Sequence, residues 1–192
     1  MLRKRNQIAS RSATVRKSNL RSVPLYGWPM PIRSWEVDQA RLRDPARLLA
    51  VRRTRLLDTP AEPALDRFTR EASSRLAAPI SLVTLVDEHR QFFASMHGRT
   101  APHETPMSES VCKYAVIHRE PVVIDDLCDH AELQEAVDKG VRAYCGAPLT
   151  TAEGHVLGAL CVLDSKPRSW TPGQVEALTT MAAEVVEMIE AP

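Results

Sequence analysis

The segment from Val156 to Leu163 reads Val-Leu-Gly-Ala-Leu-Cys-Val-Leu, is closed by Asp164, and is the most apolar strand-like stretch in the chain. A short apolar run without polar alternation, bounded by turn residues, reads as a strand covered on both faces. It belongs at the centre of a sheet, and the rest of the chain must supply neighbouring strands and flanking helices. Gly158 sits inside the run, at a point where a neighbouring backbone or a ligand can come close.

Turn residues mark out the other strands. Ile80 to Val86 is closed by Asp87-Glu88 and Gln91 to Met96 by His97-Gly98, so the two read as a hairpin. Val122 to Ile124, between Pro121 and Asp125-Asp126, reads as a third strand. Val141 to Leu149 reads as another, in which Gly146 and Pro148 argue for an edge or a bulge. Residues 98 to 108 hold two prolines, a glycine and several polar residues, and read as a long loop over the sheet.

Helices are signalled by their ends. Asp44-Pro45 pairs an N-cap with a proline at the first helical position and opens a helix through Leu48, Leu49 and Val51 to Leu57. From about Pro63, the residues Leu65, Phe68, Ala72 and Leu76 recur on one helical face. A short helix from Ser108 turns Val111, Cys112, Ala115 and Val116 inward, and a small acidic helix spans about His130 to Val137. Thr171-Pro172-Gly173-Gln174 combines an N-cap, an N1 proline and a capping-box Gln ahead of Val175, Leu178, Ala182, Val185 and Ile189. The expected class is α/β in the α+β sense: a central antiparallel sheet of about five to six strands flanked by helices.

A length of 192 residues with 44% apolar content suits one folded domain and a tail. The net charge of +1 conceals a division. Residues 1–55 hold 14 Lys/Arg against 3 Asp/Glu, or +11, and the remainder holds 11 against 21, or −10. Residues 1–43 are therefore expected to form a basic, disordered arm, and 44–190 the domain, with its core at about 63–190. Such an arm can bind nucleic acid by counterion release, but it lacks the aromatic spacing that reads bases, and a solvated tail is the plainer reading. Met30 is an alternative start. No apolar run approaches the roughly 20 residues of a membrane span and no secretory signal is evident, so a cytoplasmic protein is expected. Cysteines 112, 128, 145 and 161 form no CxxC pair and read as reduced, mostly buried thiols.

Several segments in order resemble bacterial GAF domains. They are Arg55-Leu56-Leu57-Asp58-Thr59-Pro60 leading to Asp66, Pro79 to Asp87 followed by Arg90-Gln91-Phe92-Phe93, Ser110-Val111-Cys112 with Ala115-Val116, and Pro121 to Asp126. Tyr144-Cys145-Gly146-Ala147-Pro148-Leu149 and Gly154 through Leu157-Gly158 to Asp164 complete the set. The resemblance covers nearly all of residues 45–190 and implies a GAF/PAS-like fold; fold alone does not fix function.

The resemblance implies a ligand cavity on one sheet face, under the helix that starts at Ser108 and the long loop. Cys112, Tyr114, Asp125, Tyr144 and Cys145 are then candidate lining residues. The plain structural alternative makes Cys112 and Cys145 core thiols, and Asp125 and Asp126 caps of the following segment. Free-methionine sulfoxide reductases share this fold and use cysteines, and Cys112 resembles one of their positions. The segment corresponding to their further cysteine reads Ala131-Glu132-Leu133-Gln134-Glu135, with Cys128 upstream, so no reactive pair is evident and no catalysis is expected.

Covalent bilin attachment is not expected, because the four cysteines precede Lys113, Asp129, Gly146 and Val162 rather than histidine. The family's cyclic-nucleotide motif is missing as well. Neither Cys128-Asp129-His130 nor His89, His97 and His103 has metal-ligand spacing. The implied role is a small-molecule-binding sensory domain of unnamed ligand, acting through a homodimer or a signalling partner. Arg41, Arg43, Arg47, Arg52, Arg53 and Arg55 near the start, and Glu176, Glu184, Glu187 and Glu190 at the end, could pair within or between chains. The alternatives are a thiol-dependent reductase, and an interaction module with a vestigial pocket and a nucleic-acid-binding arm.

Overall fold

The computed structural model describes residues 38–191 apart from 61 and 101. The expected arm of 1–43 lies outside the described residues up to position 37. Its last residues form a turn of helix, α1 (Gln39–Leu42), whose first amides are capped by the Asp38 carboxylate. Leu42 is buried, so ordered packing begins ahead of Asp44.

Helix α2 (Pro45–Arg53) starts at the Asp44-Pro45 signal, with the Asp44 carboxylate accepting the Ala46 amide. It stops at Arg53 rather than running to Leu57. The Thr54 hydroxyl donates back to the Val51 carbonyl, and Arg55 and Asp58 take left-handed backbone at φ 57° and 60°. Helix α3 (Pro63–Leu76) buries Leu65, Phe68, Ala72 and Leu76 on one face, as their spacing requires.

Six antiparallel strands follow: β1 (Ile80–Val86), β2 (Arg90–His97), β3 (Glu104–Pro106), β4 (Val122–Ile124), β5 (Ala143–Thr150) and β6 (Val156–Asp164). Their spatial order is β3-β2-β1-β6-β5-β4, so β6 and β1 are central. The loop expected over 98–108 contains β3, which pairs with Arg90, Gln91 and Phe92 of β2 as an edge strand. An edge tolerates the missing amide of Pro106, which is why a proline-bearing stretch can still pair. Arg90 fixes this edge, donating to Glu104 of β3 and, at 2.8 Å, to Asp58.

Strand β5 is not an edge, because β6 and β4 pair on either side of it. Pro148 lies past the three residues that β4 covers, and the pairing with β6 shifts between Pro148 and Thr150. Across that irregularity Val156 and Leu157 are followed by Gly158, where a Cβ would stand 2.0 Å from the Thr84 carbonyl oxygen. Gly158 is therefore a point of close backbone approach.

Alternation along β5 and β6 divides the core. Ala143, Cys145, Ala147, Leu160 and Val162 pack with α3 and α6 (Pro172–Glu190) on one face. Tyr144, Ala159, Cys161 and Leu163 pack on the other with α4 (Cys112–His118). The acidic segment expected as a single helix is divided into a 3-10 turn, Ala131–Leu133, and α5 (Gln134–Asp138). Helix α6 carries its full capping box: Thr171 accepts the Gln174 amide, and the Gln174 side chain accepts the Thr171 amide.

Candidate functional site

Helix α4 is short and weakly begun. Val111 offers no side-chain cap; instead the Ser110 hydroxyl accepts the Lys113 amide at 3.1 Å and donates to Gln91 on β2 at 2.5 Å. Lys113 is itself buried, with its ammonium donating to the Met107 and Ser108 carbonyls at 3.1 Å each, and burial lowers its pKa. These bonds fix the approach to α4 but leave space beneath its first turn.

That space is a cavity of about 240 Å³ between α4 and the sheet. Leu82, Phe93, Tyr144, Cys161 and Leu163 form its floor, and Val111 and Cys112 one wall. Gln91, Arg99, Glu104, Glu109 and Lys139 supply the polar side, and a Lys139–Glu109 pair at 3.6 Å joins the end of α5 to the turn Met107–Glu109 at the rim.

At the base of the cavity two thiols and a tyrosine hydroxyl meet. The Tyr144 hydroxyl donates to the Cys112 sulfur at 3.3 Å, and the sulfurs of Cys112 and Cys161 lie 3.7 Å apart. Gly146 makes this possible: a Cβ there would stand 2.1 Å from the Tyr144 hydroxyl oxygen, so only glycine lets the ring lie along its own strand. Burial pushes the Cys112 thiol up, but the neighbouring Cys161, Thr84 and Tyr144 side chains favour its thiolate and carry the net shift downward. Cys161 is held well above its ordinary value by the bond with Cys112 and by burial, and Tyr144 is raised by burial and by the neighbouring sulfurs.

Of the five residues singled out from sequence, Cys112 and Tyr144 line this cavity, and Tyr114, Asp125 and Cys145 are not among its lining residues. Tyr114, within α4, is buried in the core, its ring stacked on His118 and its hydroxyl pushed up to about 12 by burial. Cys145 points to the opposite face, where burial, with the Asp125 charge adding, pushes its thiol up to about 12. Asp125 accepts the Trp170 amide at 3.3 Å and, through its carbonyl, the Arg168 amide at 2.9 Å, tying β4 to the lead-in of α6.

The sequence reading missed Cys161, Gln91 and the charged rim. Cys161 stands opposite Gly146 in the β5–β6 register and shares the face of Tyr144. Strand parity carries that signal only once the register is known. Among the described residues, no cluster of three or more His, Cys, Asp or Glu side chains is placed to hold a metal ion. No described helix is long and apolar enough to cross a membrane.

A single six-stranded antiparallel sheet, two long helices on one face and a cavity under a short helix on the other define an α+β domain. The chain belongs to the GAF domain family, whose sequence model matches residues 60–189. A cyclic di-GMP phosphodiesterase of Pseudomonas aeruginosa is 34% identical over 119 residues, which are 59% of this chain and 20% of that protein. The chain thus spans about a fifth of that relative's length. The GAF domain of an Acinetobacter phosphoenolpyruvate-protein phosphotransferase superposes with a TM-score of 0.59 at 17% identity, over 76% of this chain and 93% of that one. A type II free methionine-R-sulfoxide reductase from Thermoplasma acidophilum does so with a TM-score of 0.58 at 12% identity, over 66% and 90%. At such identities the two structures speak to the fold.

Proposed function

We propose that this chain is a regulatory GAF domain whose cavity binds a small polar metabolite of about amino-acid size and passes the occupied state through α4 to a partner. The observation that carries the reading is the cavity itself: about 240 Å³, apolar at the floor, with Gln91, Arg99, Glu104, Glu109 and Lys139 on its polar side. Its volume falls below the roughly 300–1,000 Å³ of pockets for drug-sized ligands, which favours a small metabolite over a dinucleotide or a tetrapyrrole.

Helix α4 supplies a route for the signal. Cys112 at its start borders the cavity, and at its other end the Ile117 carbonyl accepts from Arg41 of α1 while Arg119 donates to the Gly154 carbonyl at 2.6 Å. A ligand that binds one position of α4 better than another shifts the attachment of α1. Arg43, Arg52, Arg53 and Arg55, and Glu176, Glu184, Glu187 and Glu190 of α6, are all exposed and form no ion pair with one another among the described residues. Apart from Glu190, whose carboxylate accepts the Ala152 amide, these side chains are candidates for contact with a partner or a second copy.

Thermal-shift screening of the purified chain against amino acids, small carboxylates and nucleotides tests the reading. A bound ligand at a hundred times its Kd adds about 2.7 kcal/mol, which raises the midpoint by roughly 5–10 °C. A flat response across the panel, with unchanged thermal midpoints in Gln91→Ala and Lys139→Ala backgrounds, would remove ligand sensing as the role of this cavity.

A further inference from the structure

We infer that Cys112 and Cys161 form an oxidation site, a buried dithiol that a hydroperoxide reaching the cavity converts into an intramolecular disulfide between α4 and β6. The argument begins with position. The two sulfurs come from elements 49 residues apart in sequence and lie 3.7 Å from each other, both on the wall of the same cavity. Neither is in a disulfide, and the remaining cysteines differ: Cys128 is exposed, and Cys145 belongs to the opposite core. Two thiols in sulfur contact at the edge of a space that takes a two-oxygen molecule are the arrangement a dithiol oxidation requires.

The roles of the two sulfurs follow from their surroundings. Cys112 accepts a hydrogen bond from the Tyr144 hydroxyl at 3.3 Å, so negative charge is better supported on Cys112 than on its neighbour. The Cys112 sulfur attacks one peroxide oxygen. An S–O bond forms, the O–O bond breaks, and the departing oxygen takes the proton from Cys112, leaving as water from hydrogen peroxide or as the alcohol from an organic hydroperoxide. Cys112 is now a sulfenic acid, oxidised by two electrons, and the peroxide is reduced. The Cys161 sulfur then attacks the Cys112 sulfur; the S–S bond forms, the S–O bond breaks, and hydroxide leaves as water with the proton from Cys161. With hydrogen peroxide, two thiols and one peroxide give one disulfide and two waters.

The sulfurs must close from 3.7 Å to about 2.05 Å. Strand β6 is held by β1 and β5, so the short helix α4 is the element that moves. Oxidation therefore draws the first turn of α4 onto the cavity floor. This site does not depend on any metabolite occupying the cavity.

The test uses the whole chain, reduced and desalted, alongside Cys128→Ser, which removes the exposed competing thiol. Each is treated with hydrogen peroxide, digested without reduction and mapped by mass spectrometry. The expected product is a peptide pair joined through Cys112 and Cys161, lighter than the separate peptides by two hydrogens and released by dithiothreitol, in equal yield in both proteins. In Cys161→Ala the Cys112 sulfenic acid accumulates and is captured by dimedone, whereas in Cys112→Ala no modification of Cys161 is found. The proposal is overturned if Cys112 runs on to sulfinic acid in the unsubstituted protein without a linked peptide, or if linkage occurs only through Cys128. Modification of Cys161 that persists in Cys112→Ala overturns it as well. Peptide mapping reads the bond itself, so a failed ligand screen and a failed oxidation are told apart.

Discussion

Beneath the sheet's first face lie α6, of 19 residues, and α3, of 14; above the second, α4, of seven, packs on the central strands. The long helices have proline at N1, side-chain caps and faces of Leu, Val, Met and Phe that meet Leu160, Val162 and Ala147. The short one lacks a cap at Val111, and it shares its face with buried polar groups at Gln91, Ser110 and Lys113. One face is therefore built for cohesion. The other forgoes close packing and leaves a cavity lined by two thiols and a tyrosine hydroxyl.

The largest test of that contrast is a pair of leucine truncations. Leu178→Ala, in the closed core under α6, should cost about 2–5 kcal/mol and lower the thermal midpoint by roughly 5–15 °C. Leu82→Ala, on the cavity floor, enlarges an existing space and should fall at the low end of that range, about 2 kcal/mol. Equal losses in denaturant titrations would erase the distinction between the faces.

Gly146→Ala asks whether the cavity floor is tuned or merely filled. A methyl group in the path of the Tyr144 hydroxyl forces the ring off the strand, at about 1–3 kcal/mol, and separates the hydroxyl from Cys112. Near-ultraviolet circular dichroism should show the displaced tyrosine, and an unaltered spectrum with unaltered stability would mean the ring has room to spare.

The smallest effect is electrostatic. Arg142 grips Asp126 at 2.9 and 2.6 Å, and this pair, with the Cys128 amide, holds the Asp126 carboxyl down at about 2. A depressed carboxylate contributes stability that is fully present above its unfolded pKa near 3.8 and lost as pH falls through the folded value near 2. The thermal midpoint should thus decline between about pH 4 and pH 2, with a shallower slope in Asp126→Asn. Because both partners keep contact with solvent the change should be slight, and parallel slopes would assign the pair no role.

Much of the fold was legible in the sequence because its signals are local. Asp44-Pro45 and Thr171 to Gln174 cap helices with atoms a few residues away, and the apolar run of β6 needs no partner to declare itself buried. The edge strand β3 was not legible, since three residues ending in a proline have no local mark of a strand and pair only because β2 is there. The site was legible in half. Cys112 and Tyr144 could be placed near a cavity from the family's pattern, but Cys145 and Cys161 could be assigned to faces only from the register between β5 and β6. That register shifts at Pro148, where local pattern gives no warning of its extent.

Arg47 of α2 is almost fully buried, and its guanidinium donates to the carbonyls of Val86, at 2.7 Å, and of Leu42, with Val156 at 3.5 Å. It binds main chain at the end of β1, the end of α1 and the start of β6, and reads no side chain at any of them. Sequence drift along those elements therefore leaves the attachment of the first helices untouched, so long as the backbone keeps its path. Mutational tolerance is spread over three elements, while vulnerability is concentrated in one arginine.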